Sequence, residues 1–436
     1  MVTTNSLLKL NKNAIANIIN YVVPPILLFV TTPILVKKLG ADVYGVWVII
    51  LSSIGMSSMF QFGLGDSTIR YISKYLAKSN YIKLNKVINA TLFMYGSLSI
   101  LAGIFCYLFS DKLVGLLNIG ELPKQETVRL FKLVSIIFLF SFLKEAFIGI
   151  LKGFERYDII AQISVSFNII KNFLFVFVVT KGFMISGLII ILLVSTIAEL
   201  LVYILYVNTK ISIVKFNIFK IDRETINEIF SYSFYTWLQG ISTLLFSQLD
   251  KIIIGIFIGT KAVTLYSVST QFASQIHAFG AAVFSYIFPR ISALFEKGDY
   301  HNIQNWFKKL FKLEVISMLI ITFVMLMFSN LFMKFWMGEH FAKESIYIVK
   351  GLIIAYAVLS LNIIPHYVLN GLGKVKLNLT LMTVTYIFSL ILFIILTPLL
   401  GVSGMVYSKI FVFIPNIIYL VYTNISIKRL TLSNVS

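Results

Sequence analysis

The sequence predicts an all-α polytopic membrane protein, with twelve transmembrane helices in two parallel six-helix lobes around a central cavity. Three observations predict it: an apolar excess, twelve apolar windows of membrane length, and residue patterns that recur at half the chain length. Of 436 residues, 58% are apolar and 13% charged, against about 45–50% and about 25% in soluble domains. The mean hydropathy is +0.90. The single cysteine, Cys106, lies in an apolar stretch, which excludes a disulfide framework and a cysteine zinc cluster.

Windows of about 19 residues place spans at 14–36, 44–65, 87–109, 131–151, 159–180, 183–207, 232–257, 262–288, 310–332, 346–369, 377–400 and 402–423. They must be helices, because lipid offers no partner to backbone polar groups and the runs lack barrel alternation. The first span reads as a retained helix rather than a signal peptide, since it is long and carries Pro24, Pro25 and Pro33. These prolines remove three backbone donors, so the helix should kink, and they are candidate gating residues.

Charge orients the chain. Basic residues number 37 and acidic residues 18, a net charge of +19. With the N-terminus inside, 21 basic residues fall in inner segments, nine in outer loops and seven, all lysines, within spans. The positive-inside rule then puts both termini in the cytoplasm. The excess charge reads as topology and attraction to an anionic inner leaflet, not as a nucleic-acid footprint.

The halves answer each other. Leu39-Gly40-Ala41-Asp42-Val43-Tyr44 matches Ile258-Gly259-Thr260-Lys261 with Tyr266, and Arg70-Tyr71-Ile72-Ser73 matches Arg290-Ile291-Ser292. Leu151-Lys152-Gly153 matches Leu369-Asn370-Gly371, and Ser186-Gly187 matches Ser403-Gly404. Six spans per half make the repeats parallel, a relation that places a substrate site between them. The lobes are expected at 1–207 and 230–436, joined by a cytoplasmic linker at 208–229 whose Asp222–Glu228 portion suits an amphipathic surface helix.

Catalytic signals are missing. Gly371-Leu372-Gly373-Lys374 continues into Val375, so no phosphate-cradling loop is present. His277, His301, His340 and His366 lack metal-ligand spacing, and no cofactor or metal is expected. The longest outer loop, 110–130, is too short for a sugar polymerase or acyltransferase domain, and its Glu121 and Glu126 read as solvated charges. A transporter driven by a gradient, not an enzyme, remains.

Polar groups inside spans are the candidate site. Lys132, Lys312 and Lys350 lie near span ends and can snorkel, and Glu314 is expected to pair locally. Lys171 is central in its span, on one face with Ser164, Asn168 and Asn172. Its nearest acids in sequence are too distant, so Glu145 or Glu199 would have to pair with it from another helix. Further stripes are Asn13, Asn17 and Asn20; Gln239, Thr243 and Asp250; and Ser267, Gln271 and Gln275. Lys144, Lys251 and Lys409 add cations, and Asp250, Glu199 and Glu145 are candidate ion-coupling acids. Together these residues outline a wet, amide-lined cavity suited to sugar hydroxyls.

Six ordered blocks carry a resemblance. They are Pro33-Ile34-Leu35-Val36-Lys37-Lys38-Leu39-Gly40-Ala41-Asp42-Val43-Tyr44-Gly45-Val46-Trp47; Phe62-Gly63-Leu64-Gly65-Asp66-Ser67-Thr68-Ile69-Arg70-Tyr71-Ile72-Ser73; Gly153-Phe154-Glu155-Arg156-Tyr157; Asp250-Lys251-Ile252-Ile253-Ile254-Gly255; Pro289-Arg290-Ile291-Ser292; and Gly371-Leu372-Gly373-Lys374. The chain resembles bacterial polysaccharide flippases of the multidrug/oligosaccharidyl-lipid/polysaccharide exporter superfamily, with departures at Lys37 and Gln61. The resemblance implies a flippase that carries undecaprenyl-pyrophosphate-linked oligosaccharide, such as O-antigen repeat units, across the bacterial inner membrane by alternating access. It implies a bending first helix, and other polysaccharide assembly proteins as candidate partners. A cation-coupled drug or metabolite exporter of the same fold is the alternative. Against it, residues 14–36 hold no acid and the stripes are rich in amides.

Overall fold

A computed structural model describes the backbone of residues 4–119, 122–216 and 223–433; side chains at 4–18, 20, 21, 58, 231, 232, 234–236, 238–247 and 433 fall outside the described set. All regular structure among the described residues is helical. In chain order the helices are α1 (Thr4–Leu39), α2 (Ala41–Met56) with a 3-10 turn (Ser57–Gln61), α3 (Leu64–Ala77), α4 (Tyr81–Leu116), α5 (Lys124–Gly153), α6 (Tyr157–Thr180) and α7 (Ile185–Lys210). Then follow α8 (Arg223–Phe257), α9 (Thr260–Ala273), α10 (Gln275–Phe284), α11 (Ile287–Glu296), α12 (Tyr300–Met337), α13 (Glu339–Ser360), α14 (Ile363–Gly371), α15 (Val375–Leu400), α16 (Val402–Ile410) and α17 (Phe413–Ser433).

Eleven helical stretches among the described residues are long and apolar enough to cross a bilayer. With the 35-residue α8 they make the twelve spans of a multi-pass membrane protein. Several helices run well past their apolar windows. At 36 residues, α4 is about 54 Å long, against a hydrocarbon core of about 30 Å. The ends project because Asn80 accepts the Lys83 amide at 3.1 Å and so caps α4 before its apolar part begins.

Two compact units emerge, Met1–Leu244 and Leu245–Ser436. The expected linker 208–229 contains the end of α7 and the start of α8, with 217–222 outside the described residues. Residues 223–228 are the first turns of α8 rather than a separate surface helix. Glu228 there accepts from Lys74 Nζ at 3.0 Å and from Tyr75 Oη at 3.0 Å. That hydrogen bond raises the Lys74 ammonium above its ordinary value.

The repeat is visible in backbone detail. Asp299 caps α12 by accepting the Asn302 amide at 3.2 Å, as Asn80 caps α4. The chain turns left-handed at Ser79 and Gly298, and again at Glu155 and Gly373. Close packing repeats as well. A Cβ on Gly153 would stand 2.7 Å from Ile72 of α3, and one on Gly371 would stand 2.7 Å from Ile291 of α11. Likewise Gly187 lies against Val178, and Gly404 against the Leu396 carbonyl.

The lobes part company where proline enters. In the first, α5 and α7 are unbroken and proline-free. In the second, the chain breaks between α13 and α14 at Leu361-Asn362 and between α16 and α17 at Phe411-Val412. Each break falls four residues before a proline, Pro365 or Pro415. A proline lacks the amide that would bond to that carbonyl, and its ring crowds it. By contrast, α1 runs helical through Pro24, Pro25 and Pro33.

Candidate functional site

In the first lobe, packing of α5 on α7 sets Lys144 Nζ 3.0 Å from Glu199 Oε2, with the two side chains 21% and 10% exposed. Removing either partner would strand a charge in an apolar setting. The adjacent Glu145 makes no hydrogen bond or ion pair among the described residues. On α6, Asn168 and Asn172 each donate to the carbonyl one turn back, at Ser164 and Asn168, both at 2.9 Å. Thr31 of α1 donates to Asn172 Oδ1 at 3.3 Å. Lys171 sits between these amides, half-buried, with no ion-pair or hydrogen-bond partner among the described residues. Of its two expected acids, Glu199 is therefore held by Lys144.

The second lobe has its own pair. Lys409 Nζ lies 3.4 Å from Asp250 Oδ2, and Tyr266 donates to the same oxygen at 2.7 Å. All three side chains are buried, and Lys409 also faces the Phe393 ring. Lys251 donates to Gln248 at 3.2 Å. Gln271 keeps its buried Oε1 without a partner among the described residues. Gln275 is exposed and bonds back to the Gln271 carbonyl at 3.0 Å. The side chains of Asn13, Asn17, Asn20, Gln239 and Thr243 lie outside the described set, as do Glu121 and Asp222.

The span-end groups divide. Lys132 reaches Asp111 at 3.4 Å, while Lys312 and Lys350 are exposed. Glu314, expected to pair locally, instead is fully buried and accepts the Ile364 amide at the start of α14 at 3.2 Å. Its other oxygen has no partner among the described residues. The break thus uses a carboxyl from α12 to satisfy a helix-terminal amide.

Sequence reasoning missed a network at these breaks. Asn362 donates to Asn416 Oδ1 at 2.6 Å, and Asn416 donates to the Val358 carbonyl at 2.8 Å. His366 lies 3.2 Å from the Asn370 amide nitrogen and 3.1 Å from that of Asn378. Asn378 donates to Asn370 at 2.7 Å and accepts from Tyr419. A cavity of about 180 Å³ opens beside them, lined by His277, Asn362, His366, Thr385, Tyr386 and Tyr419 among others. Pro365 and Pro415, each inside a predicted span, were the available signal.

With this geometry in view, the comparisons decide the family. A family model described as "Polysaccharide biosynthesis protein" matches residues 10–295. The chain belongs to that family. A second model, MatE, matches residues 236–395. A Shigella flexneri protein named "Putative O-antigen transporter" is 26% identical over 373 residues, covering 84% of this chain and 86% of that one. Among solved structures, an inward-facing multidrug resistance MATE family transporter of the MOP superfamily superposes with a TM-score of 0.76 at 16% identity, covering 95% of this chain and 98% of that chain. Lipid II flippase MurJ in an inward closed conformation gives 0.75 at 16% identity, covering 94% and 87%. This polysaccharide biosynthesis family member thus has the fold of the MOP superfamily.

Proposed function

We propose that the protein is a transporter, not an enzyme, that flips undecaprenyl-pyrophosphate-linked oligosaccharide from the inner to the outer face of a bacterial cytoplasmic membrane. Both termini face the cytoplasm in this reading, and the protein works by alternating access. The observation that carries it is the kinship with the Shigella protein named for O-antigen transport over 84% of this chain, set beside a mid-span lysine with no ion-pair partner among the described residues. A lysine at that depth faces an acid, or water and an anion. Lys171 lacks the acid among the described residues, so the pyrophosphate is its partner. Asn168 and Asn172 flank it as secondary contacts. Lys144 and Glu199 then act as a strut between α5 and α7. Pro24, Pro25 and Pro33 let α1 bend as access alternates.

The MatE match over 236–395 favours a second reading, a cation-coupled exporter that uses Asp250. Lys409 and Tyr266 already satisfy that carboxylate, which weighs against it. The test is surface glycan display in cells carrying Lys171→Ala or Lys171→Arg. The proposal expects loss of display with Ala at normal protein abundance, and partial display with Arg. Full display with Lys171→Ala contradicts the anion role. Unchanged display on deleting the chain contradicts glycan transport itself.

A further inference from the structure

The two proline breaks of the second lobe do more than bend helices. Where a helix loses backbone bonds at membrane depth, the freed carbonyls must be buried in protein or line a cavity. Here the breaks at 361–362 and 411–412 bring Asn362 and Asn416 together beside the cavity of about 180 Å³. That volume is roughly ten times what one buried water needs. The same place in the first-lobe repeat holds Lys144 and Glu199, at offsets of 218 and 217. The first lobe has an ion pair in an unbroken scaffold where the second has a neutral amide pair in a broken one.

The lining chemistry selects the ligand class. No lysine, arginine, aspartate or glutamate is among the lining residues, so a phosphate finds no counter-charge there, and the two imidazoles are not joined by a third metal-ligating side chain among the described residues. What the cavity offers is imidazole, amide, hydroxyl and ring faces. Asn362 is held in orientation because its amide nitrogen is committed to Asn416. The Asn370–Asn378–Tyr419 chain fixes His366 in the same way. A few convergent polar groups on an aromatic wall suit a neutral group rich in hydroxyl donors.

We infer that this second-lobe cavity is a subsite for one sugar residue of the transported glycan, with the Tyr386 and His277 rings walling it and the hydroxyl, amide and imidazole groups of Thr385, Asn362 and His366 around it. The inference rests on the glycan-transport reading and adds to it where the sugar is held.

The test is photocrosslinking in living cells. Tyr386→p-benzoylphenylalanine is irradiated in cells making surface glycan, and the protein is probed for a glycan-bearing adduct. The same substitution at Phe335, 90% exposed on α12, is the control. The adduct is expected at 386, absent at 335, and absent in cells lacking the first sugar-transfer step. Asn362→Leu, which replaces a polar lining residue by an apolar one, should lower its yield per unit of protein about 5-fold, the scale of one lost hydrogen bond. If the 386 variant does not accumulate, the probe moves to Met382 in the same cavity. No adduct in cells whose display depends on the chain overturns the subsite and leaves transport standing. Equal adducts at 386 and 335 overturn it too. Display that survives deletion of the chain removes both readings together.

Discussion

Positions 144 and 199 in the first lobe and positions 362 and 416 in the second occupy matching places in the repeat, yet they hold different chemistry. The first pair is Lys144–Glu199 at 3.0 Å between unbroken helices. The second is Asn362–Asn416 at 2.6 Å beside two proline breaks. A second contrast lies at the front of each lobe. Tyr44 of α2 meets the Thr32 hydroxyl of α1 at 3.4 Å, whereas Tyr266 of α9 meets the Asp250 carboxylate at 2.7 Å. Duplication supplied one scaffold twice, and each copy could then place charge or neutrality where the other did not. The first lobe keeps a cation, Lys171, on an amide stripe with no ion-pair partner among the described residues. The second neutralises its cation, Lys409, and opens a pocket without charged walls.

Breaking the ion pair should have the largest effect. Lys144→Ala leaves Glu199 stranded, at a cost of about 3 kcal/mol, and protein abundance in the membrane should fall sharply. Asn362→Ala removes only a neutral pair and should cost about 1 kcal/mol. Equal losses in a detergent thermal-stability assay would erase the contrast. Lys144→Ala combined with Glu199→Ala should recover much of the first loss, because neither member of the pair is left stranded.

The glycine contacts sharpen what the lobes share. Gly153→Ala and Gly371→Ala each push a methyl to 2.7 Å from an isoleucine, so each should destabilise by about 1–3 kcal/mol. Their melting shifts should match. A large loss in one lobe and none in the other would show that the repeats no longer pack alike.

Restoring the missing amides tests the breaks. Pro365→Ala and Pro415→Ala permit the helices to close across 361–362 and 411–412. Stability is expected to hold or rise slightly, while glycan display slows several-fold. Hydrogen exchange at residues 361–366 should slow as well, and unchanged exchange would mean the break does not depend on proline.

The smallest effect concerns the caps. Asn80→Ala should cost about 1 kcal/mol at any pH, as losing a helix cap does. Asp299 is different, because hydrogen bonds from Asn302 hold its carboxyl below the usual range. Its cap is fully effective above the ordinary carboxylate pKa and is lost as pH falls through the depressed folded value. Asp299→Asn should therefore flatten stability against pH below about 4. A profile that keeps its slope would assign the cap no role.

Much of the scaffold the two lobes share could be read from the sequence. Hydropathy located the spans, and recurring patterns around Gly40, Gly153 and Gly187 announced the duplication that the backbone turns and glycine contacts repeat. The helix ends were not legible, because extensions such as 81–86 on α4 intersperse Lys83, Asn85 and Lys86 among apolar residues and so drop out of a hydropathy window. The N-terminal part of α8 looked like a surface helix for the same reason. Partners were harder still. Lys144 stands next to Glu145, yet its acid comes from α7, and only packing decides that. Within the second lobe, Asn362, Asn378, Asn416 and His277 are spread over well over a hundred residues and share no helical face. Pro365 and Pro415 marked their meeting place, but a proline in a span says where a helix breaks and not what gathers there.

The most direct test exchanges the pairs between the lobes and measures glycan display against protein abundance in the same cells. Asn362→Lys with Asn416→Glu gives the second lobe the first lobe's ion pair. The expected result is normal abundance with display lost, because two charges now stand at the sugar pocket. Lys144→Asn with Glu199→Asn should instead keep display roughly in proportion to abundance. Full display from the second-lobe exchange, or loss of display at full abundance from the first-lobe exchange, would contradict the division between a charged strut and a neutral binding pair.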